Sequence, residues 1–280
     1  MPFIGLHLAC LGALFTGAPP AALILCAVTY FVRMFGITGA YHRYFAHRSY
    51  KTSRPFQFFL ACLGCSAMQK GPLWWAAHHR QHHRFSDTDS DPHSPHRTSF
   101  WWSHVGWILA DDHIDTPSEV IRDWQRYPEL RWLDNNHWVP GLLLAAGCFL
   151  FGWLTGVGAW ACLVWGFVIS TVILYHAVFT INSLCHLWGT RRYATTDDSR
   201  NNLLLALITL GEGWHNNHHH YQSSANQGFF WWEIDISYYI IRTFALFGLV
   251  WDVRKPGAKA LAFRGRRAGK ATAASTSGAA

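Results

Sequence analysis

Charge is what this 280-residue sequence has least of. Asp, Glu, Lys and Arg together make up 14% of it, against about 25% in an ordinary soluble domain. Half of the chain is hydrophobic and 16% is aromatic. The apolar residues gather in blocks, which favours lipid over a single greasy soluble core. Cysteine supplies no framework. There are seven, an odd number, and Cys10, Cys26, Cys148 and Cys162 lie inside apolar runs, where a thiol acts as a small hydrophobe. Cys62 and Cys65 have C-x-x-C spacing but no second pair, which favours packing over zinc or redox chemistry. A secreted disulfide scaffold is thereby disfavoured. No Lys or Arg precedes the first apolar stretch, which argues against a cleaved signal peptide and for a retained first span. No nucleic-acid-binding module accompanies the net charge of +7. The positive balance is assigned to an anionic membrane surface instead.

Four apolar blocks, at about 3–18, 21–40, 138–155 and 158–181, are read as membrane spans, the first and third near the lower length limit of ~17 residues. "GAPP" joins the first pair and "WLTGVGA" the second, and neither loop carries a charge. Every Lys and Arg except Arg33 lies at or after Arg43. Since positive residues stay cytoplasmic, both hairpins dip in from the cytoplasm and both termini remain there. The stretches 41–137 and 182–255 then form one cytoplasmic cap, and with the spans they make a single domain over 1–255. The apolar stretch from Phe56 to Trp75 is read as a helix on the membrane surface. So is 233–251, because a fifth span there would bury Arg242 at a cost of at least ~2.5 kcal/mol. The basic, small-residue tail over 256–280 reads as disordered. No internal repeat appears beyond the two hairpins.

What the sequence has in excess is histidine, 18 in all. His79, His82 and His83 stand at i, i+3 and i+4, one face of a helix. His215, His218 and His219 repeat the pattern. His42 and His47 are five apart, which on an α-helix separates them by roughly 140°; they are expected to serve two neighbouring metals rather than one. Asn182 and His186 are i, i+4 at the end of the fourth span. So many imidazoles exceed one tetrahedral zinc and suit two first-row metals. His7 and His176 inside spans, and His93, His96, His104, His113 and His137 outside triplets, are not assigned to the metals. Neither are His78 and His220, which abut the triplets.

At these residues the chain resembles the membrane fatty-acid desaturases, closest to the Δ9 acyl-CoA (stearoyl-CoA desaturase-like) group. "HRYFAH", "HRQHH" and "HNNHH" look like its three histidine boxes. "GITGAYHRYFAHRSYK", "HHRFSDTDSDPHSP", "SHVGWIL", "NSLCHLWG" and "GEGWHNNHH" follow in family order over roughly residues 21–255. The resemblance implies an all-α integral membrane protein of four transmembrane helices in two hairpins, whose cytoplasmic helical cap holds a di-iron site. It implies iron ligation by His42, His47, His79, His82, His83, His186, His215, His218 and His219, with Asn182 acting through water. It implies oxygen-dependent removal of two hydrogens from an acyl chain, leaving a cis double bond. An unactivated methylene offers nothing to side-chain acid–base chemistry, so a redox cofactor must carry that step. Asp87, Asp91 and Glu212 are candidates for orienting the imidazoles. The second and fourth spans and "GPLWW" are candidate walls for an acyl tunnel.

Two departures bear on substrate and partner. Where the animal acyl-CoA enzymes have an Arg-Asp pair before the second box, this chain has Ala77 and His78, which leaves CoA, carrier protein and phospholipid open as the head group. No cytochrome b5 domain is fused, so electrons are expected from a separate ferredoxin or cytochrome b5-like donor with its reductase. A hydroxylase on the same scaffold, or a non-enzymatic metal-binding or transport protein, are the competing readings. Transporters usually place ionisable groups near mid-span, whereas the histidine clusters here lie outside the spans.

Overall fold

The computed structural model describes residues 2–262, which are mostly helical. Four apolar helices occupy the places of the four expected spans. They are α1 (Phe3–Thr16), α2 (Pro20–Ala46), α6 (Val139–Leu154) and α7 (Ala159–Leu187). Among the described residues α2 and α7 are each long and apolar enough to cross a membrane. A third candidate arises if α6 is counted with α5 (Pro128–Asn135), from which it bends by 65°. Arg33, the one cation in the α-helical part of α2 (Pro20–Phe35), is buried and ties α2 to α7. It donates to Thr171 Oγ1 at 2.6 Å and to the Thr29 carbonyl at 3.1 Å, so the charge is satisfied by dipoles.

Both long helices change pitch. Gly36–Ala46 of α2 and Val164–Ile169 of α7 are π-helical. The first of these segments runs beyond the expected end of the second span and is buried throughout. It packs beneath α3 (Arg54–Cys65), where a Cβ on Gly64 would meet the Tyr41 ring at 2.0 Å. Tyr41 donates to Cys65 Sγ at 3.0 Å, and all seven cysteines are free, as a packing role requires.

The stretch expected as one surface helix from Phe56 to Trp75 is two helices. α3 stops at Cys65, and α4 (Pro72–Phe85) starts after a turn in which Met68 and Lys70 adopt positive φ. The start of α4 is fixed by Pro72 and by Asp134 Oδ1, which accepts from the backbone of Leu73 and Trp74 at 2.9 and 3.1 Å. That helix carries the triplet His79, His82 and His83. α8 (Leu203–Ile208) and α9 (His215–His220) complete the layer above the long helices. α10 (Ile236–Leu246) is too short to span a membrane and packs Phe244 against Phe35 and Phe56, a cap as expected. After it, β2 (Val250–Trp251) pairs antiparallel with β1 (Lys51–Thr52). The tail expected to be disordered opens with one helical segment, Ala258–Ala262, whose Ala260 carbonyl accepts from His220 Nε2 at 3.1 Å. Residues 263–280 lie outside the described residues.

Candidate metal centre

All nine predicted histidines converge, and they divide into two groups. In one, ring nitrogens of His42, His47, His79, His83 and His218 all lie within 4.8 Å of one another; in the other, those of His82, His186, His215 and His219 do. The groups adjoin, with the His83 and His219 ring centroids 4.4 Å apart. His42 and His47 fall in the same group, which corrects the expectation that they diverge. The cause is the π-helix, whose i→i+5 bonding returns residues five apart to one face. The His47 amide donates to the His42 carbonyl at 3.1 Å, which is that bond. Asn182 lines a cavity together with His79.

The first group cannot be held by hydrogen bonds alone. Its Nε2 atoms form a chain of close contacts: His47–His79 and His79–His83 at 2.9 Å, His83–His218 at 2.9 Å and His218–His42 at 3.0 Å. A ring nitrogen carries at most one proton, so these four contacts cannot all be hydrogen bonds. His219 Nε2, on a ring whose Nδ1 faces Asp197, is buried without a partner. Lone pairs converging in this way fit a cation. Two imidazoles bound at right angles to an ion at about 2.1 Å would themselves lie about 3.0 Å apart. Burial and the neighbouring rings hold His47, His79, His83, His215 and His218 well below the usual histidine range, so they are neutral and free to ligate.

Carboxylates stand behind four of the rings, a common way to fix a metal-binding imidazole. Asp87 Oδ2 lies 2.8 Å from His186 Nδ1, and Asp91 Oδ1 lies 3.1 Å from His82 Nδ1. Glu212 contacts His42 Nδ1. The predicted trio is therefore buried beside the rings rather than solvated. Sequence reasoning missed a fourth, Asp197, whose Oδ2 lies 2.8 Å from His219 Nδ1. Burial pushes each of these carboxyls up. Histidine and other hydrogen-bonding partners outweigh it, and Arg43 adds its charge at Glu212, so all four end below the usual carboxylate range. His219 is lowered to about 4, burial outweighing Asp197; at His82 the acids outweigh burial and the value rises.

The loops that present these acids are themselves braced. Asp87 accepts from Ser94 Oγ at 2.6 Å and from the Asp198 amide at 2.8 Å, which joins the second-box loop to the one bearing Asp197. Glu212 follows Gly211, which adopts φ +120° where a Cβ would strike Asp235 Oδ1 at 2.3 Å. Arg43 binds Glu212 at 3.1 Å and Asp235 at 2.8 Å. Asn216 and Asn217, between the box histidines, face away and hold neighbouring loops. Asn216 Oδ1 accepts from Arg192 and Tyr193 amides at 2.8 Å, and Asn217 donates to Glu233 at 2.9 Å. Of the unassigned histidines, His93 packs 4.2 Å from His82, and His96 donates to the His186 carbonyl at 3.0 Å.

A cavity of about 350 Å³ is lined in part by His79. Trp74, Trp75, Tyr175, Phe179 and Phe3 are among its walls. "GPLWW" and the fourth apolar helix thus contribute as expected. The second does not, and α1 takes its place.

A family model for fatty acid desaturases matches residues 18–253. Among curated relatives, the Delta-9 acyl-lipid desaturase 1 of Arabidopsis thaliana is 39% identical over 253 residues, 89% of this chain and 80% of its own. The acyl-CoA 5-desaturase AL21 of Anemone leveillei is 38% identical over 255 residues, 90% of this chain and 77% of its own. The sn-1 stearoyl-lipid 9-desaturase of Anabaena variabilis is 36% identical over 259 residues, covering 90% and 91%.

Proposed function

This chain belongs to the fatty acid desaturase family and is an oxidoreductase acting on acyl chains; from that premise we propose that it inserts a cis double bond at Δ9 of a saturated acyl chain, using O2 and electrons from a separate donor. The carrying observation is that a largely apolar cavity is lined by His79, a member of the five-histidine group. Each group is read as holding one iron, through the nine histidines, with Asn182 acting through water from the cavity side. When bound, the iron pair supplies the oxygen activation and hydrogen abstraction that no side chain in the cavity can provide.

The chain's own residues supply position and exclusion. Aromatic walls strip water from the acyl tail and restrict it to a narrow slot, so that one methylene pair lies against His79. Asp87, Asp91, Asp197 and Glu212 keep the outer ring nitrogens protonated and turn the other nitrogen inward. The placement of α1, α2, α6 and α7 supports four spans in two hairpins, with the histidine layer and both termini on the cytoplasmic side. The family's ferredoxin or cytochrome b5-like donor, with its reductase, would dock on that side, where the positive charge lies.

The test is the fatty-acid profile of a host lacking its own desaturase, expressing wild type or His79→Ala. Double-bond positions are fixed by mass spectrometry of derivatised esters. A new Δ9 monounsaturated acid seen only with wild type is expected. Hydroxy acids in its place would move the assignment to a hydroxylase.

A further inference from the structure

We propose that His7, His176, His104 and Ser183 form a proton relay serving the reduction of oxygen; the inference rests on the desaturase reading. None of the three histidines belongs to either metal group. They lie in a line across three elements: His7 in α1, His176 in α7 and His104 in the π-helical turn Trp102–Gly106. His7 Nε2 is 2.9 Å from His176 Nε2, and His176 Nδ1 is 3.0 Å from His104 Nε2. His104 Nδ1 is in turn 3.0 Å from Ser183 Oγ. Carbonyl oxygens close both ends: that of Phe3 is 2.8 Å from His7 Nδ1, and that of Phe179 is 3.0 Å from Ser183 Oγ.

The line is one proton short. It has five contacts, whereas three neutral imidazoles and one hydroxyl supply only four protons. The contact that yields is the last one, because the Phe179 carbonyl already accepts from the Ser183 amide at 3.2 Å. In the neutral line Ser183 then donates to His104 Nδ1, His104 Nε2 to His176 Nδ1, His176 Nε2 to His7 Nε2, and His7 Nδ1 to the Phe3 carbonyl. With one more proton every contact is a hydrogen bond, and Ser183 turns to Phe179. The two states differ only in where hydrogens sit. A proton taken up at one end can therefore release another from the far end with no heavy atom displaced.

Nothing on the line traps that proton. No Asp or Glu lies on α1, on α7, in Pro20–Phe35 of α2, in α8 or over residues 99–109, so a counter-ion is missing. Of the other ionisable groups on the elements packed there, Cys10, Cys26, Tyr30, Tyr175 and Cys185 are ordinarily neutral at pH 7. Arg33 is held by Ser170 and Thr171, and His186 faces Asp87. Burial and the neighbouring His176 ring hold His104 below the usual histidine range. The line is thus neutral at rest and carries the excess proton only in passage.

The ends of the line suit the reaction. Two C–H bonds break on a CH2–CH2 pair, and one C=C bond forms. The two hydrogens, one O2, two electrons from the donor and two protons together give two waters. His7 is half-buried near the start of α1, whereas Ser183 is wholly buried. Ser183 follows Asn182, which lines the cavity, and Ser103 Oγ donates to the Asn182 carbonyl at 2.9 Å. The line therefore joins the start of α1 to the part of the cavity wall formed by Asn182.

The experiment places glutamine at His176 or His104 in the full-length protein in lipid bilayers. Glutamine donates and accepts, so it can keep the contacts, but it does not pass a proton on at neutral pH. His176→Gln is expected to slow alkene formation by about a hundredfold, with iron content and affinity for a fluorescent polyene fatty acid unchanged. Added imidazole should restore part of the rate, and His104→Gln should behave alike. Wild-type rates in both variants, or a rate that falls only in step with iron or fatty-acid affinity, overturn the relay. Nitrogen NMR of imidazole-labelled wild type tests the line without chemistry. His7 should carry its proton on Nδ1, and His176 and His104 on Nε2, the signals being identified by their loss in the glutamine variants. Any other order overturns the relay whatever the activity. If that order is found and wild type forms no alkene from any acyl substrate, the desaturase reading fails and the proton order of the line stands.

Discussion

The two histidine groups share chemistry but not surroundings. In the four-histidine group every member is buried, and three of the four rings are backed by a carboxylate: Asp91, Asp87 and Asp197. In the five-histidine group only His42 is backed, by Glu212, and three members are partly exposed. The five-histidine group also lines the cavity, through His79. An imidazole braced by a carboxylate is a better donor and a stiffer one. The four-histidine group is thus the more firmly held, and the five-histidine group the more open. The protein makes the two groups unequal by what stands behind the rings.

The largest effect should come from removing a ring on either side. His79→Ala, His218→Ala or His186→Ala is expected to reduce alkene formation to background at matched protein level, read by gas chromatography. Full turnover in any of them would remove that residue from the ligand set. Next, Asp197→Asn or Asp87→Asn should weaken metal retention by about 10–100-fold, measured as iron remaining after dialysis against a chelator. Glu212→Gln should cost less, since it braces one ring of five; an equal loss would erase the asymmetry.

Acid should act on both groups. His47, His79, His83 and His218 in one, and His215 and His219 in the other, have folded values below the ordinary ~6.5, so below that pH the unfolded chain binds more protons and stability falls. Metal-free protein should therefore melt progressively lower as pH drops from about 7 to 5, by differential scanning fluorimetry. His82, whose value is raised by Asp91, opposes that trend within the four-histidine group. The smallest effect is expected for His96→Ala, which removes one bond to the His186 carbonyl. Its activity should stay within about threefold, the cost of a single hydrogen bond of ~0.5 kcal/mol; loss of iron there would mean the ligand set is wrong.

The histidine triplets were legible because i, i+3, i+4 spacing survives into α4 and α9 as written. The relation of His42 to His47 was not, since apolar patterning does not reveal where an α-helix widens into a π-helix. Asp87, Asp91 and Glu212 sit within or beside the boxes and were open to inspection. Asp197 sits in "TTDDS", with no pattern around it, and it is long-range bonds, from the Asp198 amide to Asp87 and between Asn216 and Tyr193, that bring that loop beside His219. The four apolar helices were readable from composition, whereas the break between α3 and α4 depends on a turn at Ser66–Gly71 inside an apolar stretch.

The π-helical segment from Gly36 to Ala46 has a bearing on how this chain can change over generations. Such a segment behaves as an α-helix carrying one surplus residue. Point substitutions leave that count intact, but loss or gain of a single residue between His42 and His47 turns one by roughly 100° relative to the other. The letters are confined as well: the segment is buried throughout, a Cβ on Gly36 would meet the Leu63 carbonyl oxygen at 2.7 Å, and Arg43 pairs with Glu212 and Asp235. Descendants of this sequence should therefore keep the number of residues between His42 and His47 fixed, and the second π-helical stretch, Val164–Ile169, places the same constraint on the helix that carries His186 in its last turn.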